Sequence, residues 1–219
     1  MADTLANTHH MLIDSAVARD LASRTCWLFD MDGTLTQAMH DFDAMRTALS
    51  LPAGVPILEA LEALPREQAQ AKRNDLDVME LEMARDATLQ PGSVELLDHL
   101  QDSGAQLGIV TRNGRTSADA TLAACGLDRY FTADSIISRD CCSAKPDPAG
   151  VELAMARLGG SAATSVMVGD YLFDLRAGRC AGVLTVHLDV DGQFGWPEDT
   201  DIGVTSLVAL LELVDSVAR

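Results

Sequence analysis

Apolar residues along the chain follow two rhythms. Short unbroken runs at Cys26 to Phe29, Leu107 to Val110, Val166 to Val168 and Val183 to Val186 are too brief for helices and read as strands buried on both faces. Between them, apolar positions recur every three or four residues. In "PGSVELLDHLQDSG", Pro91 fits a first helical position, Leu96, Leu97 and Leu100 form a stripe, and Gly104 is the stop. In "DPAGVELAMARLGG", Asp147 is placed to cap, Pro148 suits the first turn, and Val151, Ala154, Met155 and Leu158 share one face before Gly159. Leu207, Leu210, Leu211, Val214 and Val217, following Thr205 and Ser206, predict a closing helix. Strands alternating with helices imply an α/β fold, a doubly wound parallel sheet with right-handed crossovers.

Residues 37–88 break the alternation. Phe42, Met45 and Leu49, then Ile57, Leu58, Leu61 and Leu64, then Leu76, Met79 and Met83 are spaced for helices, and no strand pattern intervenes. Pro52, Pro56 and Pro65 punctuate the stretch into about three helices. The organisation expected is therefore an α/β core from residues 1–36 and 89–219, with a small all-α lobe, 37–88, inserted after the first strand.

Composition narrows the function classes. A formal net charge of −17 argues against a phosphate-backbone binder, which needs a basic face to displace counterions, so no nucleic-acid partner is expected. No apolar run reaches membrane-span length, so no membrane partner is expected either, and the polar N-terminal stretch lacks the apolar centre of a secretion signal. Five cysteines without a Cys-x-x-Cys pair read as reduced thiols in a cytoplasmic protein, although the adjacent Cys141 and Cys142 also fit a redox pair. The acidity poses a question of its own, since an anionic substrate needs a locally positive site to approach.

Candidate chemistry lies in "CWLFDMDGTLTQAMHD". A buried run leads directly into Asp30 and Asp32, two like charges that repel unless a cation holds them. Thr111 follows "LGIV", and Asp170 ends "VMVGD". Open α/β sheets bind ligands at the carboxyl ends of their strands, so three strand ends bring oxygen ligands to one edge, and strand order decides whether they meet. On a straight strand, the two-residue spacing would set Asp30 and Asp32 on one face.

Asp30-Met31-Asp32-Gly33-Thr34, then Thr111, then Lys145 in "AKPDP", then Gly169-Asp170 with Asp174, resemble the four ordered motifs of the haloacid dehalogenase superfamily. The resemblance spans about residues 25–215 and gives the inserted lobe the position of a helical cap. It implies a phosphatase in which Asp30 attacks a phosphomonoester and Asp32 acts as acid and base. It further implies Mg²⁺ held by the Asp30 side chain, the Asp32 carbonyl and Asp170, with Asp174 supporting. Lys145 and Thr111 would hold the phosphate, and Arg112 and Asn113 would touch phosphate or substrate. Only Lys72 and Lys145 are lysines among sixteen basic residues, so lysine at 145 suggests a need for a compact point charge. His40 and Arg46, where the chain enters the lobe, are candidates to read the leaving group.

The implied partner is a small phosphorylated metabolite of unspecified identity. Asp32 argues against the family's metal-free dehalogenases. A phosphonate hydrolase would need a cap lysine, for which only Lys72 is available. A phosphomutase, or a silent binding protein on the same fold, are the other readings. "QAMHDFDAM" after the first motif and Tyr171 after the last depart from the family pattern.

Overall fold

The computed structural model describes residues 11–12, 15–39 and 41–217, so His40 lies outside the described residues. Seven strands form one sheet: β1 (Met11–Leu12), β2 (Cys26–Phe29), β3 (Gln106–Val110), β4 (Ile136–Ile137), β5 (Ser165–Gly169), β6 (Leu184–Leu188) and β7 (Ile202–Val204), in the order β1-β7-β6-β5-β2-β3-β4. Every pairing is parallel except that of β1 with β7. The helical insert thus follows the second strand of the chain rather than the first, because two residues of β1 cap the sheet edge.

Side chains alternate across the sheet as the pleat requires. Trp27 and Phe29 of β2 point into the larger apolar cluster, with Leu21 of α1 (Ser15–Ala22), Leu96, Leu97 and Leu100 of α5 (Ser93–Asp102), Leu122 of α6 (Arg115–Ala124) and Leu207 and Leu210 of α9 (Leu207–Val217). Cys26 and Leu28 point to the opposite face, against Val151, Ala154 and Met155 of α7 (Ala149–Leu158) and Ala177 of α8 (Leu172–Cys180). The sheet is therefore covered on both sides, the doubly wound arrangement expected of short all-apolar strands.

Helix starts move slightly from their predicted places. α5 begins beyond Pro91 because Gly92, with φ 90°, takes the capping position. In α7, Pro148 holds that position while the Asp147 carboxylate accepts from the Ala149 amide at 2.9 Å. The Ser206 hydroxyl accepts from the Ala209 amide at 3.0 Å and opens α9.

Between β2 and β3 lie α2 (Phe42–Ala48), α3 (Ile57–Glu62) and α4 (Arg66–Ala84). Pro56 and Pro65 stand immediately before α3 and α4, where a missing amide hydrogen costs nothing. Met45, Leu49, Ile57, Leu58, Leu61 and Leu76 form a separate apolar cluster. The segment enters and leaves side by side: the Gln37 amide donates to the Thr88 carbonyl at 2.9 Å, and the Gln90 amide to Leu35 at 3.0 Å. On α4 the buried line is Leu76, Glu80 and Ala84, one side chain per turn, so a carboxylate occupies a position that the period reserves for an apolar group.

Candidate active site

Strand order answers the question of convergence. β2 lies between β3 and β5, so the residues just past their carboxyl ends, Asp30, Thr111 and Asp170, are neighbours at the point where the chain switches direction across the sheet. β2 ends at Phe29, and a tight turn follows in which Gly33 donates to the Thr36 carbonyl at 2.8 Å. The straight-strand argument for Asp30 and Asp32 therefore does not apply, and the two acids have different partners.

Asp30 accepts from Lys145 Nζ at 2.7 Å, and the same ammonium lies 2.5 Å from Asp174 Oδ1. Lys145 is 2% exposed and also donates to the Val110 carbonyl. Burial opposes its charge, but the Asp174 and Asp30 carboxylates outweigh that opposition and hold its pKa above the ordinary lysine value. Asp32 Oδ2 accepts from Asn113 Nδ2 at 2.6 Å, and the Asn113 amide donates to Thr111 Oγ1 at 3.1 Å.

Asp174 sits in the first turn of α8, where its other oxygen accepts from the Tyr171 amide at 3.0 Å. Burial and the neighbouring Asp30 push its carboxyl up to about 6 against the pull of Lys145. Burial, then the Asp30 and Asp174 charges, push Asp170 up to about 8, although the Thr34 hydroxyl donates to it at 3.1 Å. Two glycines make this crowding possible. A Cβ on Gly33 would sit 2.2 Å from Asp170 Oδ2, and one on Gly169 would sit 2.2 Å from Asp174 Cβ.

Asp30, Asp170 and Asp174 each present an oxygen within 4.8 Å of the others. Three carboxylates face one ammonium, a charge set that a small divalent cation would balance, and an all-oxygen donor set suits magnesium. Their side chains border a cavity of about 380 Å³ that also takes in Asp32, Thr111, Arg112, Asn113 and Lys145. All eight sequence candidates thus meet around one cavity.

Arg112 faces the helical insert. Its guanidinium bonds both Glu59 carboxylate oxygens, at 3.0 and 2.7 Å, donates to the Lys145 carbonyl, and lies 4.6 Å over the Phe173 ring. Arg46 borders the cavity and pairs with Asp43 at 2.5 Å. Lys72 is turned to the Leu49 carbonyl and does not border the cavity, which removes it as a Schiff-base candidate. Cys142 is partly buried, and its thiol is pushed up by burial and by Cys141 and Asp147, the opposite of an activated thiol.

Sequence reasoning missed Glu80, Glu59 and Phe173. Glu80 reaches from α4 to Arg139, at 2.7 and 2.9 Å, and accepts from the Gly114 amide at 3.3 Å, tying the insert to the loop that carries Arg112 and Asn113. Its only signal in sequence is a charge on an otherwise apolar helical line.

These features, a switch-point acid cluster around one buried lysine on a doubly wound sheet, define a hydrolase class. Residues 25–182 match the model described as haloacid dehalogenase-like hydrolase, and the chain belongs to that family. It is similar to the phosphoglycolate phosphatase of Caulobacter vibrioides, 31% identical over 195 residues that cover 78% of this chain and 80% of that one. It is also similar to pyrophosphatase PpaX of Bacillus velezensis, 31% identical over 177 residues, with 74% and 81% covered. In fold it resembles a crystal structure of a hydrolase from Pseudomonas syringae, with a TM-score of 0.74 at 23% identity over 90% of this chain and all of that one. No helix among the described residues is long and apolar enough to cross a membrane.

Proposed function

We propose that the protein is a Mg²⁺-dependent phosphatase of small phosphomonoesters, and that residues 37–88 act as a cap on a core of 1–36 and 89–219. The observation that carries this reading is Lys145 bridging Asp30 and Asp174 at the floor of the cavity, with Asp170 alongside. Such a lysine fixes one Asp30 oxygen and leaves the other to attack phosphorus.

Asp30 attacks phosphorus and the leaving oxygen takes a proton from Asp32, giving an aspartyl-phosphate and the free alcohol. Asp32 then removes a proton from water, which attacks the phosphorus, releases phosphate and restores Asp30. Asn113 orients Asp32 for both steps through its 2.6 Å hydrogen bond. Thr111 and Lys145 hold phosphoryl oxygens, and Arg112 closes the wall towards the insert. Magnesium, when bound, offsets negative charge on the phosphoryl group and the carboxylates; Asp30, the Asp32 carbonyl and Asp170 would hold it, with Asp174 supporting them. The cap covers the cavity and limits water during attack.

Three features support the remaining parts of the reading. An acidic chain with one buried cationic point favours a small phosphorylated metabolite over a nucleic acid. All five cysteines are unpaired, as in a cytoplasmic protein. Two of the proteins named above are by name a phosphoglycolate phosphatase and a pyrophosphatase.

The test is release of p-nitrophenol from its phosphate ester. Turnover is expected with Mg²⁺, not with EDTA, and not in Asp30→Asn, whose thermal unfolding should show an intact fold. Near-normal turnover in Asp30→Asn would refute the assignment.

A further inference from the structure

We infer that the alcohol half of the substrate is bulky and largely apolar, a phosphate ester of an alkyl or ring-bearing alcohol, and not a short acid carrying a second negative charge. The inference rests on the phosphatase reading and concerns the part of the cavity that faces Asp30 from the insert.

That part is built from hydrocarbon. Met45 of α2, Ile57 and Leu58 of α3 and Leu76 of α4 face the cavity, while Phe42 and Tyr171 stand at its rim, 53% and 50% exposed. Tyr171 is held upright by edge contacts with Phe173 and Trp196, at 5.0 and 5.3 Å between ring centroids. Its departure from the family's usual small residue therefore builds an aromatic ledge beside the site. Large apolar groups left in water at a cavity mouth mark a surface waiting to be covered.

Charge points the same way. A second anion on the substrate needs a cation, and among the described residues the two arginines that border the cavity already have carboxylate partners from the insert, Glu59 on Arg112 at 2.7 Å and Asp43 on Arg46 at 2.5 Å. Glu80 also lines the cavity, with its charge already met by Arg139. A carboxylate or second phosphate would therefore have to displace Glu59 to gain Arg112, whereas a hydrocarbon group gains burial and leaves both pairs intact.

The experiment measures kcat/KM with Mg²⁺ for ethyl, butyl, hexyl and cyclohexyl phosphate, whose leaving groups have similar basicity, beside phosphoglycolate, pyrophosphate and p-nitrophenyl phosphate. The expected result is a rise of about three- to fourfold per methylene until the cavity fills, with hexyl phosphate above phosphoglycolate by tenfold or more. Phe42→Ala, a rim change that leaves the core alone, should flatten the rise. Glu59→Gln, on a half-exposed side chain, should free Arg112 and raise phosphoglycolate relative to hexyl phosphate by about tenfold. A flat or falling alkyl series, or a preference for phosphoglycolate or pyrophosphate in the unaltered protein, would overturn the inference and leave the phosphatase reading standing. No turnover of any ester, p-nitrophenyl phosphate included, would overturn both.

Discussion

Replacing Asp170 by Asn should make the metal-free protein more stable while removing its response to magnesium. Asp170 stands beside Asp30 and Asp174, and burial with those two charges raises its carboxyl from 3.8 to about 8. Because the folded value is the higher one, folding takes up a proton between the two, and this group's contribution is lost as pH rises from about 4 to about 8. Between 3.8 and neutrality lie about three pH units at ~1.4 kcal/mol each, or about 4 kcal/mol of destabilisation at pH 7. The side chain is only partly buried, so screening reduces this to about 2 kcal/mol. Asn keeps the oxygen that accepts from Thr34 and carries no charge. For a chain of this length, the melting temperature in EDTA should rise by about 4–8 °C at pH 7 and by clearly less at pH 5. Added Mg²⁺ should stabilise the native protein and leave Asp170→Asn unchanged. A variant no more stable than the native protein at pH 8, or a difference that does not grow from pH 5 to 8, would refute the reasoning.

Other perturbations follow from the same geometry. Gly33→Ala puts a methyl group 2.2 Å from Asp170 Oδ2 at a left-handed φ of 85°; it should cost at least about 1–2 kcal/mol and weaken Mg²⁺ binding tenfold or more by calorimetry. Glu80→Gln leaves Arg139, whose side chain is 6% exposed, with a diminished partner, and should cost about 3 kcal/mol in urea unfolding; a loss below about 1 kcal/mol would dismiss the pair as a structural tie. Lys145→Met removes the ammonium between Asp30 and Asp174, so turnover should vanish, and stability at pH 7 should fall and be partly restored by Mg²⁺, as read by thermal unfolding.

The sequence made the central strands legible because each is a short apolar run flanked by a turn, and β2 occupies the predicted span without change. β4 and β7 escaped because two or three residues, one of them Gly203, carry no readable period. Polar helices such as α6 escaped for a related reason: their buried residues include Ser117 and Thr121, which do not register as an apolar stripe. The acids past β2 and β5 were legible because a carboxylate immediately after a buried strand is costly without a purpose. Glu80 and Glu59 were not, since a glutamate on a helix ordinarily faces water; the packing of α4 against α6 buries Glu80, and α3 sets the half-exposed Glu59 against Arg112.

The acidic surface and the anionic ligand are reconciled by where the cations are placed. Lys145, Arg139 and Arg112 are each drawn into the region around the cavity, and each is met by carboxylates from more than one element or from the insert. Lys145 bonds to Asp30 just past β2, to the Val110 carbonyl that ends β3 and to Asp174 on α8, so removing it would loosen the sheet edge where the acids gather. Arg139 ties α4 to the loop after β3, which means that any displacement of α4 pulls on the backbone of Arg112 and Gly114, and through it on Asn113 and Asp32. The insert and the loop that positions Asn113 against Asp32 are thereby joined through one buried ion pair.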